Sequence, residues 1–443
     1  MQTHSYLSRL DAANLTSSFG RVLKISSTHI EADGPACAIG DICSVDAAEN
    51  RSSSSQNLDA EVVGIEKDHI ILMPLQKNLT ISPNALVTMK SGSAGKIAVG
   101  DAFSGRAIDA LGDPIDGSGS IKADKYLSSM REAPPTLDRM ATTTPMPTGI
   151  KAIDAMLTLA KGQRVGVFAA AGVGKTTLVQ QLAQQTEADR IVICLVGERG
   201  QEVRAMWDSC NARPDRDKYT LVASTSDESA ALRIRAPDYA LMLAEYWRSQ
   251  GDHVLLILDS ATRMAMALRE VGLATGEPPT VRAYTPNVFA AIPRFVERCG
   301  ALDSGGAISA VLTVLAENEE VDDPVCEMMK SVLDGHIVLS RNIAEQGQFP
   351  AIDIGRSISR HASNVIGNKE QANASEARKM LAIYEESQTF VESGVYRAGT
   401  NAELDRAIEI RQALNAFMAQ PSDECVPFSQ SFSALNELLQ GAS

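Results

Sequence analysis

Aromatic side chains are scarce in this chain of 443 residues. Phe, Trp and Tyr make up 5 %, with only two tryptophans. Broad stacking platforms for bases are therefore not a theme of the sequence. Positive charge is also short: 41 Lys and Arg face 55 Asp and Glu, a formal net charge of −14. That balance speaks against a general nucleic-acid binder, and no nucleic-acid partner is expected. No run of 18 apolar residues occurs, so no membrane-spanning helix is expected. The start, MQTHSYLSRLDAANLT, lacks a basic region followed by an apolar stretch and does not read as a secretory signal. The seven cysteines, at 37, 43, 194, 210, 299, 326 and 425, include no CxxC pair. Their odd count and wide spacing fit free thiols in a reducing compartment.

What is present changes along the chain. Residues 1–19 are expected as a flexible N-terminal segment. GRVLKISSTHIEA and LDAEVVGIEKDHIILMPL are short β-rich runs broken by Gly, Asp and Asn, and they place a small β-barrel at 20–95. SGRAIDALGDPIDGSGS and REAPPTLDRMATTTPMPTG are rich in turn formers, so 96–147 is expected as a surface connection. From 148 to 365 apolar runs alternate with helical stretches: RVGVFAA, DRIVICLVG, YTLVAS, HVLLILD, GAISAVLTVLA and HIVLS. Continuous rather than alternating apolar strands predict a mostly parallel sheet covered on both faces, an α/β fold. Residues 366–443 read as amphipathic helices.

Between the first two of those strands stands FAAAGVGKTTL, Phe168 to Leu178. A buried strand, a glycine-rich turn and a helix in that order form the setting of a phosphate-binding loop. Ala169 stands where the common pattern opens with Gly. Residues Ala170, Ala171, Gly172, Val173 and Gly174 would curl backbone N–H groups around phosphate oxygens, joined by the helix N-terminus with Thr177. Lys175 would reach the β- and γ-phosphates, and the Thr176 hydroxyl would face Mg²⁺. HVLLILDS ends its strand in Asp259, the candidate metal-side acid. IVICLVGERGQEV ends another in Glu198 and Arg199. Glu198 could accept a hydrogen bond from an attacking water or cap the helix that follows. Arg263, one helical turn past Asp259, could bridge phosphate or pair with a surface acid.

GVGKT, GERGQEV, LLILDSATRMAMALREVGLATGEPPT, VLDGHIVLSR and FPAIDIGRSISR occur in one order. Together they resemble the rotary-type hexameric ATPases, and within them the type III secretion ATPases of the injectisome, with flagellar export ATPases next. The resemblance runs from about Gly20 into the helical C-terminus. It implies a RecA-like core with an N-terminal barrel and a C-terminal helical domain, ATP with Mg²⁺, and a homohexamer. It implies Lys175 and Thr176 as phosphate and magnesium ligands, Glu198 as the water-activating acid with Arg199 beside it, and Asp259 as the metal-side acid. Arg360, closing SISR, would enter the neighbouring subunit's site. Phe349 would stack on adenine or serve as a core aromatic. The implied partners are a coiled-coil central stalk protein, a peripheral regulator of the ATPase, a sorting-platform component, chaperone–effector complexes and the export gate. The implied place is the cytoplasmic face of the inner membrane.

Three stretches depart from the family wording. Gln201 replaces the second arginine of GERGREV. NEEVDDP, Asn318 to Pro324, replaces a DDMNDP-like turn. AYTPNVF, Ala283 to Phe289, replaces GYPPSVF, so a less constrained loop is expected there. Other readings remain open: a flagellar export ATPase, a rotary-synthase catalytic subunit, a ring-shaped nucleic-acid translocase, or a scaffold that binds nucleotide without turnover.

Overall fold

The computed structural model describes residues 18–46, 57–76, 81–90, 96–128, 131–316 and 323–441. Of the segment expected as flexible, 1–19, residues 1–17 lie outside the described residues, and Phe19 already opens the first strand; of the substituted acidic turn 318–324, residues 318–322 lie outside them. Among the described residues six strands close a barrel: β1 (Phe19–Ile25), β2 (Ile30–Ala32), β3 (Ile42–Val45), β4 (Leu58–Ile65), β5 (Ile70–Pro74) and β6 (Leu86–Met89). Their order is β1-β2-β5-β4-β3-β6, and every pairing is antiparallel. Alternation explains the closure: Leu58, Ala60 and Val62 point inward from β4, while the residues between them stay partly exposed. β5 is buried on both faces. Its outward Met73 joins Ile42 and Leu75 in the core of the next domain, so the barrel is packed onto it rather than tethered.

The stretch expected as a connection carries strands of its own. β7 (Lys96–Val99) pairs with β9 (Lys125–Ser128), and Ile97, Val99 and Phe103 are buried in the central core. β8 (Ala107–Asp109) forms the edge of the main sheet beside β12 (Tyr219–Thr225). Three residues set among turn formers carry too little periodicity to be read as a strand.

The main sheet runs β17-β16-β10-β15-β13-β11-β12-β8. Its other members are β10 (Arg164–Ala169), β11 (Arg190–Glu198), β13 (His253–Asp259), β15 (Ala307–Leu315), β16 (Gly335–Leu339) and β17 (Ile352–Ser359), with the two-residue β14 (Gly300–Ala301) paired to β15. All contacts along that order are parallel except the one between β16 and β17. The continuous apolar runs follow from two-sided burial. In β11, Val192, Cys194 and Val196 face a core built on helices Ala230–Arg248, Ala261–Ala274 and Pro286–Glu297. Ile191, Ile193 and Leu195 face the opposite one, with helices Lys175–Gln185 and Gly200–Asn211.

The C-terminal helices Asn368–Glu392, Ala402–Met418 and Phe428–Gly441 share that second core through Met380, Leu414 and Leu435. They therefore pack directly on the sheet's helical layer. A left-handed turn enters the AYTPNVF loop: Arg282 and Ala283 sit at φ 55° and 58°. An alanine thus occupies a conformation that favours the glycine it replaces.

Candidate active site

Parallel strands collect their C-terminal ends at one edge, and the polar residues that follow the apolar runs meet there. β10 lies between β15 and β16, near the middle of the sheet, and its end feeds the loop 170–174. Gly172 and Gly174 adopt φ 81° and 94°, backbone that a side chain would strain. Val173 is buried beneath the loop; Ala171, Gly172, Thr176 and Thr177 are exposed, and Ala170 is partly so. Helix Lys175–Gln185 starts on Gly174 with no side-chain cap, which leaves its first amides to face outward ligands.

Three predicted residues converge on this loop. The Lys175 ammonium bonds the Asp259 carboxylate and lies 3.6 Å from Oε1 of Glu198. One cation thus balances two acids in a site where Asp259 is 4 % exposed and the other two side chains 12 %. Burial pushes the Glu198 carboxyl up to about 7; Lys175 opposes the rise, and the Glu202 carboxyl and the Asp259 charge add to it. The helix after Glu198 starts at Gly200, and its N-cap, Arg199, is exposed and makes no side-chain cap bond.

Arg263 reaches the same edge from the first turn of its helix. Gly197 adopts a left-handed φ of 67°, and a Cβ built on it would lie a tight 3.3 Å from the Arg263 stem, which crosses the end of β11 beside Glu198. Among the described residues Arg263 has no ion pair, and its Nε is buried without a partner. Phe349 closes another side. Its ring lies 3.4–3.5 Å from where a Gly174 Cβ would stand and is 46 % exposed, so it is not a core aromatic.

Arg360 is not brought to its own site. β17 runs antiparallel to β16, with Ile352 beside Leu339 and Ser359 beside Gly335. Ala169, at the phosphate edge, is level with Leu339. Arg360 therefore lies about five residues, roughly 16 Å, down the sheet and two strands, about 10 Å, sideways from that edge. Its backbone N–H donates to Asp334, and its guanidinium donates to the carbonyl of Lys330 at 3.3 Å.

Two contributors escaped sequence reading. Thr313, in the middle of a buried strand, donates a 2.7 Å hydrogen bond to Oδ1 of Asp259. Glu202, in the first turn of the helix that follows, meets the Glu198 carboxyl at the end of β11; no periodicity links a strand residue to a helix residue, so nothing in the sequence signals the pair.

The donor set suits a hard cation. Thr176 and Asp259 offer oxygen only, and no group of three His, Cys, Asp or Glu that could cage a metal unaided occurs among the described residues. Magnesium, which keeps waters and shares substrate phosphates, fits such a sparse set.

Comparison with known proteins shows the family. The model of the ATP synthase alpha/beta family, nucleotide-binding domain, matches residues 149–359, and that of the T3SS EscN ATPase C-terminal domain matches 366–437. The flagellum-specific ATP synthase of Bacillus subtilis is 39 % identical over 438 residues, 99 % of each chain. The type 3 secretion system ATPase of Xanthomonas euvesicatoria is 39 % identical over 425 residues, 96 % of this chain and 95 % of that one. The assembled ATPase EscN of the enteropathogenic E. coli type III secretion system superposes with a TM-score of 0.88 at 36 % identity, covering 95 % of this chain and 100 % of that one. EscN in complex with its central stalk EscO gives 0.84 at 35 %, with the same coverage. With that likeness over nearly its whole length, and with Lys175, Glu198 and Asp259 gathered at one sheet edge, the chain belongs to the ATP synthase alpha/beta family, in the branch of ATPases that holds the type 3 secretion and flagellum-specific enzymes.

Proposed function

We propose that this chain is the ATPase of a type III protein secretion system and hydrolyses Mg-ATP as a homohexameric ring. The observation that carries the ring is the separation of Arg360 from the phosphate loop of its own chain. Loop amides and Lys175 hold the phosphates. Thr176 and Asp259 hold the metal side, where a bound magnesium ion would neutralise phosphate charge. Lys175 turns from the two acids toward phosphate, which frees Glu198 to orient the attacking water and take its proton. Arg263 and Arg199 supply positive charge beside Glu198. Phe349 offers a ring face for adenine. Arg360 reaches the next subunit's site and neutralises charge developing there, so turnover depends on assembly.

A central coiled-coil stalk is the partner best supported, through the EscN–EscO relative. Further proposed partners, from the family resemblance, are a peripheral regulator, a sorting-platform component, chaperone–effector complexes and the export gate. The ring would sit at the cytoplasmic face of the inner membrane, releasing chaperones and helping to unfold cargo. No helix among the described residues is long and apolar enough to cross a membrane.

Flagellar export is the second reading, favoured by the Bacillus subtilis relative that matches end to end. Disrupting the gene separates them: lost effector secretion with intact motility supports the first, and the reverse supports the second. The activity itself is tested by phosphate release from Mg-ATP. Lys175→Ala should abolish it; release unchanged in that variant would overturn the assignment of the loop.

A further inference from the structure

Asp259 contributes only if its carboxylate is held in one orientation, and β15 supplies the means. β13 and β15 run in parallel register with Leu258 beside Leu312, which sets Thr313 beside Asp259. Thr313 and Asp259 are both buried. The Thr313 hydroxyl donates to Oδ1, the same oxygen that Lys175 contacts. Among the described residues Oδ2 receives no hydrogen bond, and the Thr313 hydroxyl has no other partner. Two residues on, the backbone N–H of Leu315 donates to the Thr262 hydroxyl at 2.9 Å. The end of β15 is thereby fastened to the segment that carries Asp259.

The two bonds on Oδ1 have different fates. Lys175 must leave it to reach phosphate, whereas Thr313 belongs to a buried strand and stays. The other hydroxyl of that strand, Ser309, is committed elsewhere: it pairs with the His253 ring at 2.8 Å and accepts from Gly162. We propose that Thr313 is a positioning residue that pins Oδ1 of Asp259 and so keeps Oδ2 directed to the hydration shell of the metal throughout the cycle. This rests on the reading of Asp259 as the metal-side acid. Partners that orient a metal-side ligand are typically worth about 10–100-fold in metal affinity or activity.

The test uses the full-length protein and a fluorescent ADP analogue, with affinity measured in Mg²⁺ and in EDTA. Thr313→Val keeps the shape and removes the hydroxyl; Thr313→Ser restores it. In Thr313→Val the tightening produced by Mg²⁺ should fall about 10-fold while affinity in EDTA is unchanged. With excess Mg²⁺, kcat should drop and KM for ATP move little. Thr313→Ser should behave as the parent, and Thr313→Ala carries the same expectation as valine if valine is poorly accommodated. Full Mg²⁺ dependence in Thr313→Val, or an equal loss in EDTA that marks a merely structural role, overturns the proposal. Asp259→Asn is measured in parallel. If it keeps the Mg²⁺ dependence, the reading of Asp259 itself fails; if it alone loses it, only the role of Thr313 fails.

Discussion

Arg360 and Lys175 stand on opposite sides of a subunit boundary in the proposed ring, and mixing two inactive variants exposes that arrangement. Arg360→Ala removes the finger, a loss worth about 10³–10⁵ in rate where such fingers have been measured. Lys175→Ala removes the cation that reaches phosphate. The register of β17 against β16 puts Arg360 about 16 Å along the sheet and about 10 Å across it from its own loop, beyond the span of one side chain. In a ring with head-to-tail contacts, each site takes its lysine from one chain and its arginine from the next. When the two variants assemble at random in equal amounts, a site is intact if its loop comes from Arg360→Ala and its neighbour is Lys175→Ala. Each condition holds half the time, so about one quarter of the sites recover. Phosphate release, followed against mixing ratio after subunit exchange, should trace a dome with its maximum at equal amounts. If both residues served one chain, no mixture would exceed the sum of its parts, and that flat result would refute the trans placement.

Other perturbations probe separate features. Phe349→Ala should weaken ATP binding by about 1–3 kcal/mol, the usual worth of stacking on a base, and leave inorganic tripolyphosphate binding unchanged; equal losses for both ligands would contradict a role at adenine. Glu61, on the barrel, faces Arg235 of the core at 3.6 Å, and burial raises its carboxyl from the ordinary 4.5 to about 7. Over that window the folded chain keeps a proton that the unfolded chain has lost, so stability from this group is full below pH 4.5 and declines as pH rises through 7. Glu61→Gln should therefore match the parent's unfolding free energy at pH 4 and exceed it at pH 7.5 by up to about 3 kcal/mol, read from denaturant unfolding. Ala283→Gly should stabilise the chain by about 1 kcal/mol, because the φ of 58° costs alanine more than glycine; an unchanged or lower denaturation midpoint would argue against the left-handed turn.

Residues that end apolar runs were the readable part of the site. Lys175, Glu198 and Asp259 each follow a buried strand, and parallel strands bring such ends together without further information. The six runs that seeded the sheet appear as β10, β11, β12, β13, β15 and β16 for the same reason. β17 carries FPAIDIGRSISR, whose likeness to a family named Arg360, yet only pairing with β16 reveals that it runs away from the phosphate edge. Thr313 was invisible because its meaning is lateral. One hydroxyl within AISAVLTVL becomes functional only when register sets it beside Asp259. Glycine at 197 is similar: it combines a left-handed φ of 67° with a close approach of the Arg263 stem, a contact 66 residues away in the chain.

Replacing Glu198 with Gln keeps the shape of the site and removes the group that takes the proton. Two quantities measured on the same preparation then decide whether this chain turns ATP over where proposed: the affinity for a fluorescent ATP analogue and the rate of phosphate release from Mg-ATP. Glu198→Gln should bind like the parent and release phosphate about 10²–10⁴-fold more slowly, the range for loss of a positioned general base. Release at the parental rate with binding intact would contradict hydrolysis through Glu198.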